Sequence, residues 1–260
     1  MSLRQARNAA VRQARIAREN DVRAAAARRR RTLGGVLLAA VVAVAVAVAI
    51  SSGHASTGAA SGGRLTGASF SSGLFAGIPQ HGTVLGRPDA PVRIVEFADL
   101  QCPYCQAYTA GVLPSLVRDY VRTGMAQMQF ENLSFIGPDS VQAGHVAAAA
   151  AAQNRLWNFV DLMYLNQGTE NTGYATPDYL KRLLRAIPGL DGGAAVSASQ
   201  APAADAALAE ANEFATREGI NGTPSFLIGR LNGPLHQFQP SSLTVAPFAA
   251  ALQNLLGGPR

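Results

Sequence analysis

Two cysteines three positions apart, Cys102 and Cys105, are the residues of this 260-residue chain best suited to covalent chemistry. They follow the apolar, β-branched run 92–98, which predicts a buried strand. The apolar residues after them recur at helical spacing, so the cysteines lie where a strand passes into a helix. Unpaired N–H groups at a helix N-terminus favour a thiolate, which is the nucleophile of disulfide exchange. The pattern therefore predicts thiol–disulfide chemistry.

Half of a zinc site is the alternative interpretation of the same cysteines. A structural zinc site needs two further Cys or His ligands at their own spacing. The chain has no third cysteine, and its four histidines are scattered along it, at His54, His81, His145 and His236. The sequence therefore favours redox chemistry and predicts no metal site, with a non-catalytic metal-chelating or peptide-binding module as the alternative.

Positive charge is concentrated at the start of the chain. Residues 1–31 carry ten Arg against Glu19 and Asp21, whereas the remainder carries 12 basic and 14 acidic residues. Such a cluster is either a nucleic-acid-binding tail or the cytoplasmic flank of a membrane segment. The apolar segment that follows favours the second interpretation. We therefore expect a basic cytoplasmic tail over 1–31 and no nucleic-acid partner.

The apolar segment Leu33–Ile50 contains 18 residues without a charge, which is close to the shortest length that spans a bilayer. A cleaved signal peptide is the alternative, but signal peptides have a short basic region and an apolar core of about 7–15 residues. We therefore predict an uncleaved transmembrane anchor over 32–51, in contact with the lipid bilayer. The positive-inside rule places the N-terminus in the cytoplasm and the rest of the chain outside. Residues 52–77, rich in Ser, Gly and Ala, are predicted to be a flexible linker.

The folded domain is predicted to occupy residues 78–260. Pro114 should kink the helix after the cysteines, and the alternation over 125–133 predicts a second strand. Residues 139–218 are mostly helical in pattern. A helix over 203–217 is the clearest case there. These elements predict an α/β domain that contains a long helical segment.

A Thr-Pro step, Thr223-Pro224, enters a further predicted strand directly after a turn punctuated by glycines. This is the kind of position that a cis proline takes. Asn232-Gly233 predicts a hairpin that pairs residues 225–228 with residues 235–238. Alone, Thr-Pro is a weak signal, but it gains weight beside an upstream Cys-Pro-Tyr-Cys.

These two stretches, 96–105 (EFADLQCPYC) and 222–226 (GTPSF), together resemble the DsbA-like branch of the thioredoxin superfamily. The resemblance covers roughly residue 78 to the C-terminus. That branch is similar to thioredoxin with a helical subdomain inserted between the two halves of the fold, and the segment 139–218 fits such an insertion. Pro-Tyr between the cysteines also resembles glutaredoxins, but the insertion and the predicted anchor argue against that branch. The resemblance implies a thioredoxin-like α/β fold with a helical insertion, and the apolar segment Leu33–Ile50 predicts one transmembrane helix before it.

The resemblance also implies roles for individual residues. Cys102 would be the exposed nucleophile and Cys105 its buried resolving partner, joined in a redox-active disulfide that needs no other cofactor. Pro224 would be cis and packed against the sulfurs, and the Thr223 backbone would pair with extended substrate. Glu96 matches a buried acidic residue that exchanges a proton near the resolving cysteine.

Pro103 and Tyr104 lie between the cysteines and are assigned to substrate contacts. The predicted function is a membrane-anchored, extracytoplasmic thiol–disulfide oxidoreductase that oxidises cysteines of secreted or cell-envelope proteins. Its partners would be reduced or misoxidised secreted proteins and a membrane redox partner that recycles the disulfide. Because the sequence does not give the pKa of either thiol, a reductase or isomerase kept reduced by a membrane donor stays the alternative.

Overall fold

The computed structural model describes residues 65–257 of the chain. The predicted tail 1–31 and anchor 32–51 lie outside the described residues. The strands are β1 (Gln80–His81), β2 (Val84–Leu85), β3 (Val92–Ala98), β4 (Ala126–Asn132), β5 (Ser225–Arg230) and β6 (His236–Phe238). The helices are α1 (Ala68–Phe75), α2 (Pro103–Gly111), α3 (Leu113–Leu116), α4 (Pro138–Ala152), α5 (Leu156–Leu165), α6 (Pro177–Arg185), α7 (Gly192–Ala198), α8 (Pro202–Arg217) and α9 (Val245–Gly257). Within residues 65–257, no helix combines the length and the apolar character needed to cross a membrane.

The six strands form one mixed sheet in the order β1-β2-β4-β3-β5-β6. β3 is central, parallel to β4 on one side and antiparallel to β5 on the other. Every residue of β3 except the half-buried Arg93 is buried, which explains why its sequence is an apolar run rather than an alternation. The cysteines follow the carboxyl end of this central strand.

The two faces of β3 contact different cores. Ile94 and Ala98 face the main core, together with Cys105 and Tyr108 of α2. Val95 and Phe97 face a smaller cluster, in which the Phe97 ring lies 5.2 Å from the ring of Phe214 on α8. Since successive side chains of a strand point to opposite faces, Glu96 points toward the main core.

The helical insertion lies between β4 and β5 and consists of α4 to α8, from Pro138 to Arg217. Pro177 opens α6 behind Thr176, whose side-chain oxygen accepts a hydrogen bond from the backbone N–H of Tyr179. The Ala-rich helix α4 packs on α5, which carries the fully buried Trp157. The α/β class and the helical insertion are therefore confirmed.

The folded part begins earlier than the sequence predicts. Residues 68–75, assigned to the flexible linker 52–77, form helix α1, which packs on α5. Phe75 and Ser71 are buried there, and the Phe75 ring lies 6.5 Å from that of Trp157. The linker boundary at residue 77 is therefore wrong, because this Ser- and Gly-rich helix depends on its contact with α5 rather than on helix propensity.

The kink expected at Pro114 is present as a break between α2 and α3 at Val112. A single π-helical turn, Val117–Val121, continues α3. The predicted hairpin is also present, since β5 pairs antiparallel with β6 and Asn232 adopts a φ of 67° between them. Its connection is longer than the two-residue turn that Asn-Gly favours, because β5 extends to Arg230 and β6 starts at His236.

Candidate active site

The cysteines occupy the first turn of α2, as the sequence predicts. Cys102 is the N-cap residue, with extended backbone angles, and Pro103 takes the first helical position. Proline suits this position because its missing N–H would have no helical partner there. The backbone N–H of Cys102 donates to the carbonyl of Asp99 at 2.9 Å, so a tight turn joins β3 to the helix.

Both cysteines are free thiols, and they differ in burial and acidity. The thiol of Cys105 holds the pKa of Cys102 down by hydrogen bonding, and hydrogen bonds from Thr223 and from the N–H groups of Cys105 and Tyr104 add to this. Burial opposes them, and the resulting pKa of Cys102 is about 6. Burial is the main cause that raises the pKa of Cys105 well above its usual range, with contributions from Cys102 and Glu96.

The accessibility of Cys102 differs from the expectation. The resemblance implies an exposed nucleophile, but Cys102 is only 4% exposed, and Cys105 is fully buried. Cys102 Sγ lies 3.5 Å from the carbonyl oxygen of Thr223, which contributes to covering it. The ranking of the two cysteines is therefore as predicted, whereas the open exposure of Cys102 is wrong.

Thr223 and Pro224 face the cysteines from the start of β5. Their peptide bond is cis, as the sequence predicts. Pro224 and Tyr104 line a groove of about 380 Å³ whose other walls are residues 220, 225–226, 237–240 and 243. The Tyr104 side chain is 67% exposed at this groove, and Pro103 is exposed at the helix start. The structure thus places Pro103, Tyr104, Thr223 and Pro224 around the buried Cys102.

Glu96 lies behind the cysteines in the middle of β3. It is paired with Phe226 of β5 and Phe130 of β4, and it retains 1% of its exposure. Burial raises the pKa of its carboxyl to about 8. When this carboxyl is ionised, its charge adds to the rise in the pKa of the Cys105 thiol. The structure therefore places a carboxylic acid that is protonated at neutral pH on the Cys105 side of the site.

Asp99 is a residue of the site that the sequence analysis does not identify. Its carboxylate is fully buried and accepts four hydrogen bonds. Oδ1 accepts from the Gln101 N–H at 2.8 Å and the Ser140 hydroxyl at 2.6 Å, and Oδ2 from the Phe135 and Ile136 N–H groups, both at 3.0 Å. Asp99 thus ties the active-site turn to the loop after β4 and to the start of α4. The only sequence signal is an acidic residue between an apolar strand and the cysteines, which fits a loop equally well.

Tyr108 and Tyr164 are the other residues that the analysis of the sequence does not assign to the site. Tyr164 on α5 donates its hydroxyl hydrogen to the Asp99 carbonyl at 2.9 Å. Tyr108 on α2 is fully buried, with its ring 4.8 Å from that of Phe226. Helical spacing alone marks both as core positions, so no sequence pattern distinguishes them from a buried Phe. Among the described residues, no group of three or more His, Cys, Asp or Glu side chains converges in a way that could hold a metal ion.

Comparison with known proteins places this geometry in a family. Residues 80–236 match the family model described as Thioredoxin. The chain is 37% identical over 103 residues to the probable disulfide bond formation protein D of Bacillus cereus, covering 39% of this chain and 48% of that protein. It is 30% identical over 108 residues to the disulfide bond formation protein D of Bacillus subtilis, covering 39% and 47%. The chain thus matches about half the length of these curated relatives.

The fold is similar to that of oxidised BdbD from Bacillus subtilis. The two structures superpose with a TM-score of 0.60 at 20% sequence identity, over 70% of this chain and 98% of that one. At this level of identity the likeness concerns the fold alone. Since the family model matches more than half of the sequence, the chain belongs to the thioredoxin superfamily.

Proposed function

We propose that the chain is a membrane-anchored, extracytoplasmic thiol–disulfide oxidoreductase that oxidises cysteines of secreted or cell-envelope proteins through Cys102 and Cys105. The observation that carries this proposal is the placement of both thiols at one helix N-terminus, with Cys102 Sγ 3.5 Å from the Thr223 carbonyl oxygen and beside the cis Thr223–Pro224 bond. The lowered pKa of Cys102 and the raised pKa of Cys105 support it. The curated relatives named as disulfide bond formation proteins support the same activity.

The first step is attack of a substrate thiolate on Cys102 Sγ of the oxidised protein. The Cys102–Cys105 bond breaks, its electron pair goes to Cys105, and a mixed disulfide forms between substrate and Cys102. The Cys105 thiolate is disfavoured by burial, so it takes a proton from a neighbouring acid. Glu96 is suited to supply it, because its pKa of about 8 keeps it protonated at neutral pH.

The second step releases the oxidised substrate. A second substrate thiolate attacks the substrate sulfur of the mixed disulfide, and Cys102 leaves as a thiolate. A leaving thiol with a low pKa departs faster, and the pKa of Cys102 is about 6. The product is a substrate disulfide and a reduced protein. A membrane redox partner then removes two electrons and restores the Cys102–Cys105 disulfide.

The stability of the Cys102 thiolate supports the oxidising direction. With a pKa of about 6, roughly nine-tenths of Cys102 is thiolate at pH 7. Relative to an ordinary cysteine, this stabilises the reduced form by about 1.4 kcal/mol at pH 7. For a two-electron couple, that free energy makes the reduction potential about 30 mV more oxidising. The raised pKa of Cys105 does not offset this gain, because that group is a thiol at pH 7 in either case.

The surface around Cys102 suits an unfolded polypeptide. Tyr104, two residues after Cys102, and Pro224 line a groove formed by apolar and uncharged polar residues. The Thr223 backbone, next to Cys102 Sγ, is the proposed pairing partner for an extended substrate, and Pro103 and Tyr104 contact its side chains. A groove without charged walls accepts substrates of varied sequence, as oxidation of many secreted proteins requires.

The anchor over 32–51 and its bilayer contact belong to the same proposal. The run of arginines before Leu33–Ile50 supports a cytoplasmic N-terminus, and a catalytic domain outside the cytoplasm. Disulfides persist in that compartment, so reduced secreted chains are the substrates that such a domain meets. Membrane attachment also brings the domain close to a membrane-bound recycling partner.

The reduction potential of the full chain, measured against glutathione buffers, tests the direction. An oxidase should be clearly more oxidising than thioredoxin, whose potential is about −270 mV. The oxidised chain should also form disulfides in a reduced, unfolded secreted protein in stoichiometric amounts. A potential at or below the thioredoxin value would reverse the direction and favour the reductase or isomerase. Absence of any exchange with thiols would favour the non-catalytic binding module.

A further inference from the structure

A buried cluster beneath the cysteines contains a tyrosine hydroxyl that the proposed reaction does not yet use. Glu96 and Phe226 are register partners on neighbouring strands, so their side chains share the sheet face toward the main core. The ring of Tyr108 lies 4.8 Å from that of Phe226 and thus packs over the same face. Cys105 and Tyr108 are three residues apart on α2 and lie on one side of that helix. Glu96, Cys105 and Tyr108 therefore meet between α2 and the sheet.

Two oxygen atoms in this cluster have no hydrogen-bond partner among the described residues. They are Glu96 Oε1 and the hydroxyl oxygen of Tyr108, and both are inaccessible to solvent. Tyr164, the other tyrosine whose pKa responds to Glu96, donates its hydrogen to the Asp99 carbonyl. Tyr108 is therefore the buried hydroxyl in this cluster with an uncommitted donor.

An unpaired buried hydroxyl is unfavourable, and a phenylalanine would avoid the cost. The ring of Tyr108 packs between Phe226 and Phe248, at centroid distances of 4.8 Å and 5.3 Å. These contacts need only the ring. Packing therefore accounts for the aromatic side chain at position 108 but not for its hydroxyl.

We propose that Tyr108 is a positioning residue for proton exchange at Cys105, its hydroxyl donating a hydrogen bond to Glu96 whenever that carboxyl is ionised. The inference rests on the proposed function and adds a residue to it. When the Cys102–Cys105 bond breaks, its electron pair goes to Cys105 Sγ, and the Glu96 proton moves to that sulfur. The carboxylate left behind is buried and accepts the Tyr108 hydrogen. On reoxidation the proton returns from Cys105 to Glu96.

The acidities of the groups around Glu96 fit these roles. Burial raises the pKa of Tyr108 well above its usual range, and Glu96 adds to the rise, so the phenol keeps its hydrogen at physiological pH. Within residues 65–257, the titratable groups that interact with the Glu96 carboxyl are Cys105 and Tyr108 from α2 and Tyr164 from α5. None of these carries a positive charge. A hydroxyl donor is thus the available means of stabilising the carboxylate.

The experiment is a ¹³C NMR titration of the Glu96 carboxyl in the reduced full chain. Tyr108→Phe removes the donor and keeps the ring, so the acid dissociation constant of Glu96 should fall roughly tenfold, the scale of one hydrogen bond to a charged group. Tyr179→Phe is the matched control, because Tyr179 is also buried and its hydroxyl donates to the Asn166 carbonyl at 2.7 Å, in the insertion. The control should leave the pKa of Glu96 unchanged.

A kinetic cycle tests the same link during turnover. Tyr108→Phe should change the pH profile of exchange with a reduced cysteine peptide, and the change should vanish in the Glu96→Gln background. Site-specific 3-fluorotyrosine at position 108 should shift the pKa of Glu96 in the opposite direction from Tyr108→Phe. Its phenol is more acidic and therefore a stronger hydrogen-bond donor, so it should lower the pKa of Glu96. This variant keeps the test valid if Tyr108→Phe folds poorly.

An unchanged Glu96 titration in both position-108 variants would overturn the role of Tyr108, even if the chain exchanges disulfides normally. Equal kinetic effects of Tyr108→Phe with and without Glu96 would overturn it as well. Conversely, a shifted titration in a chain that exchanges no disulfides would refute the proposed function and leave the link between Tyr108 and Glu96 standing.

Discussion

The surroundings of Cys102 and Cys105 differ more than their separation of three residues suggests. Cys102 lies at the N-terminal end of α2, where hydrogen-bond donors from Cys105, Thr223 and the helix backbone converge on its sulfur. Cys105 lies one turn further along the helix, against the core, where burial and two neighbouring acidic groups disfavour its charge. One helical turn thus separates a site that stabilises a thiolate from one that suppresses it.

This contrast shows how a single strand–helix junction divides labour between two identical side chains. The helix N-terminus supplies N–H donors only in its first turn, so the residue at the cap receives them and the residue after one turn does not. The same turn carries the second cysteine from the surface edge into the core. A leaving thiolate at Cys102 and a protonated thiol at Cys105 therefore follow from helix position together with the contact between the two sulfurs, before any substrate is bound.

The largest expected effect comes from replacing one cysteine at a time by serine. Cys102→Ser should abolish disulfide exchange, because the buried Cys105 thiol is both inaccessible and rarely ionised. Cys105→Ser should instead accumulate mixed disulfides between Cys102 and reduced secreted proteins, because no internal thiol can release them. Non-reducing gels of each variant after incubation with reduced substrate distinguish the two. Faster alkylation and a lower pKa for Cys105 in Cys102→Ser than for Cys102 in Cys105→Ser would reverse the assigned roles.

The second effect concerns Glu96, the buried acid near Cys105, and its influence on the free energy of unfolding. Folded Glu96 keeps its proton up to about pH 8, whereas an unfolded glutamate loses it above about pH 4.5. Between these values the folded state binds more protons, so its stability falls as pH rises, by about 3 kcal/mol at pH 7. Glu96→Gln removes this penalty and keeps the side-chain volume. We expect the variant to be more stable than the parent at pH 7 by about that amount, and equal to it near pH 4.

Urea unfolding at both pH values measures this difference. The same variant should exchange disulfides more slowly, since the proton donor to Cys105 is gone. A constant stability difference across pH would mean that Glu96 titrates normally in the folded chain, and would remove its proposed role.

The surroundings of Cys102 could be predicted from the sequence, whereas the surroundings of Cys105 are known only from the fold. The strand, the helix start and Pro103 are neighbours of Cys102 in the chain, so local patterns identify them. Tyr108 enters the site through the ring of Phe226, more than a hundred residues away, and nothing local distinguishes it from a core aromatic. Only the resemblance to the family identifies Glu96, because an acidic residue in an apolar strand does not by itself indicate a functional role.

The same distinction explains the successes and errors elsewhere. The helix over 203–217 has its own apolar spacing and a glycine after it, and it is present as α8. Residues 191–204 have no such pattern, yet they contain α7, which Asp191 caps by accepting hydrogen bonds from the Gly193 and Ala194 N–H groups. Helix α1 has a sequence typical of a linker and is held by contact with α5. Elements specified by tertiary contact are the ones that sequence patterns miss.

A smaller effect is expected at Asp99, which supports the turn that holds Cys102. Asp99→Asn keeps the shape of the side chain but replaces one carboxylate oxygen by an N–H₂ group. That group faces at least one of the four N–H or O–H groups that donate to Asp99, and it cannot accept their hydrogen bonds. Leaving a buried donor unsatisfied should destabilise the domain by roughly 2 kcal/mol. Ser140→Ala, which removes one of those donors and leaves Asp99 intact, should cost less. Thermal unfolding compares the two, and equal costs would contradict a central role for the Asp99 carboxylate.

The smallest expected effect isolates the influence of one cysteine on the other. The Cys105 thiol is the largest cause of the low pKa of Cys102, and the helix N–H groups contribute less. Cys105→Ser retains a hydrogen-bond donor, whereas Cys105→Ala removes it and leaves the helix backbone unchanged. The pKa of Cys102 should therefore stay near 6 in the serine variant, rise in the alanine variant, and remain below the ordinary value of 9.0 in both. Thiolate absorbance in the ultraviolet reports it without ambiguity, because each variant contains a single cysteine. Coinciding titrations would assign the acidity of Cys102 to the helix terminus alone, and the contrast between the two sulfurs would then depend on position rather than on their contact.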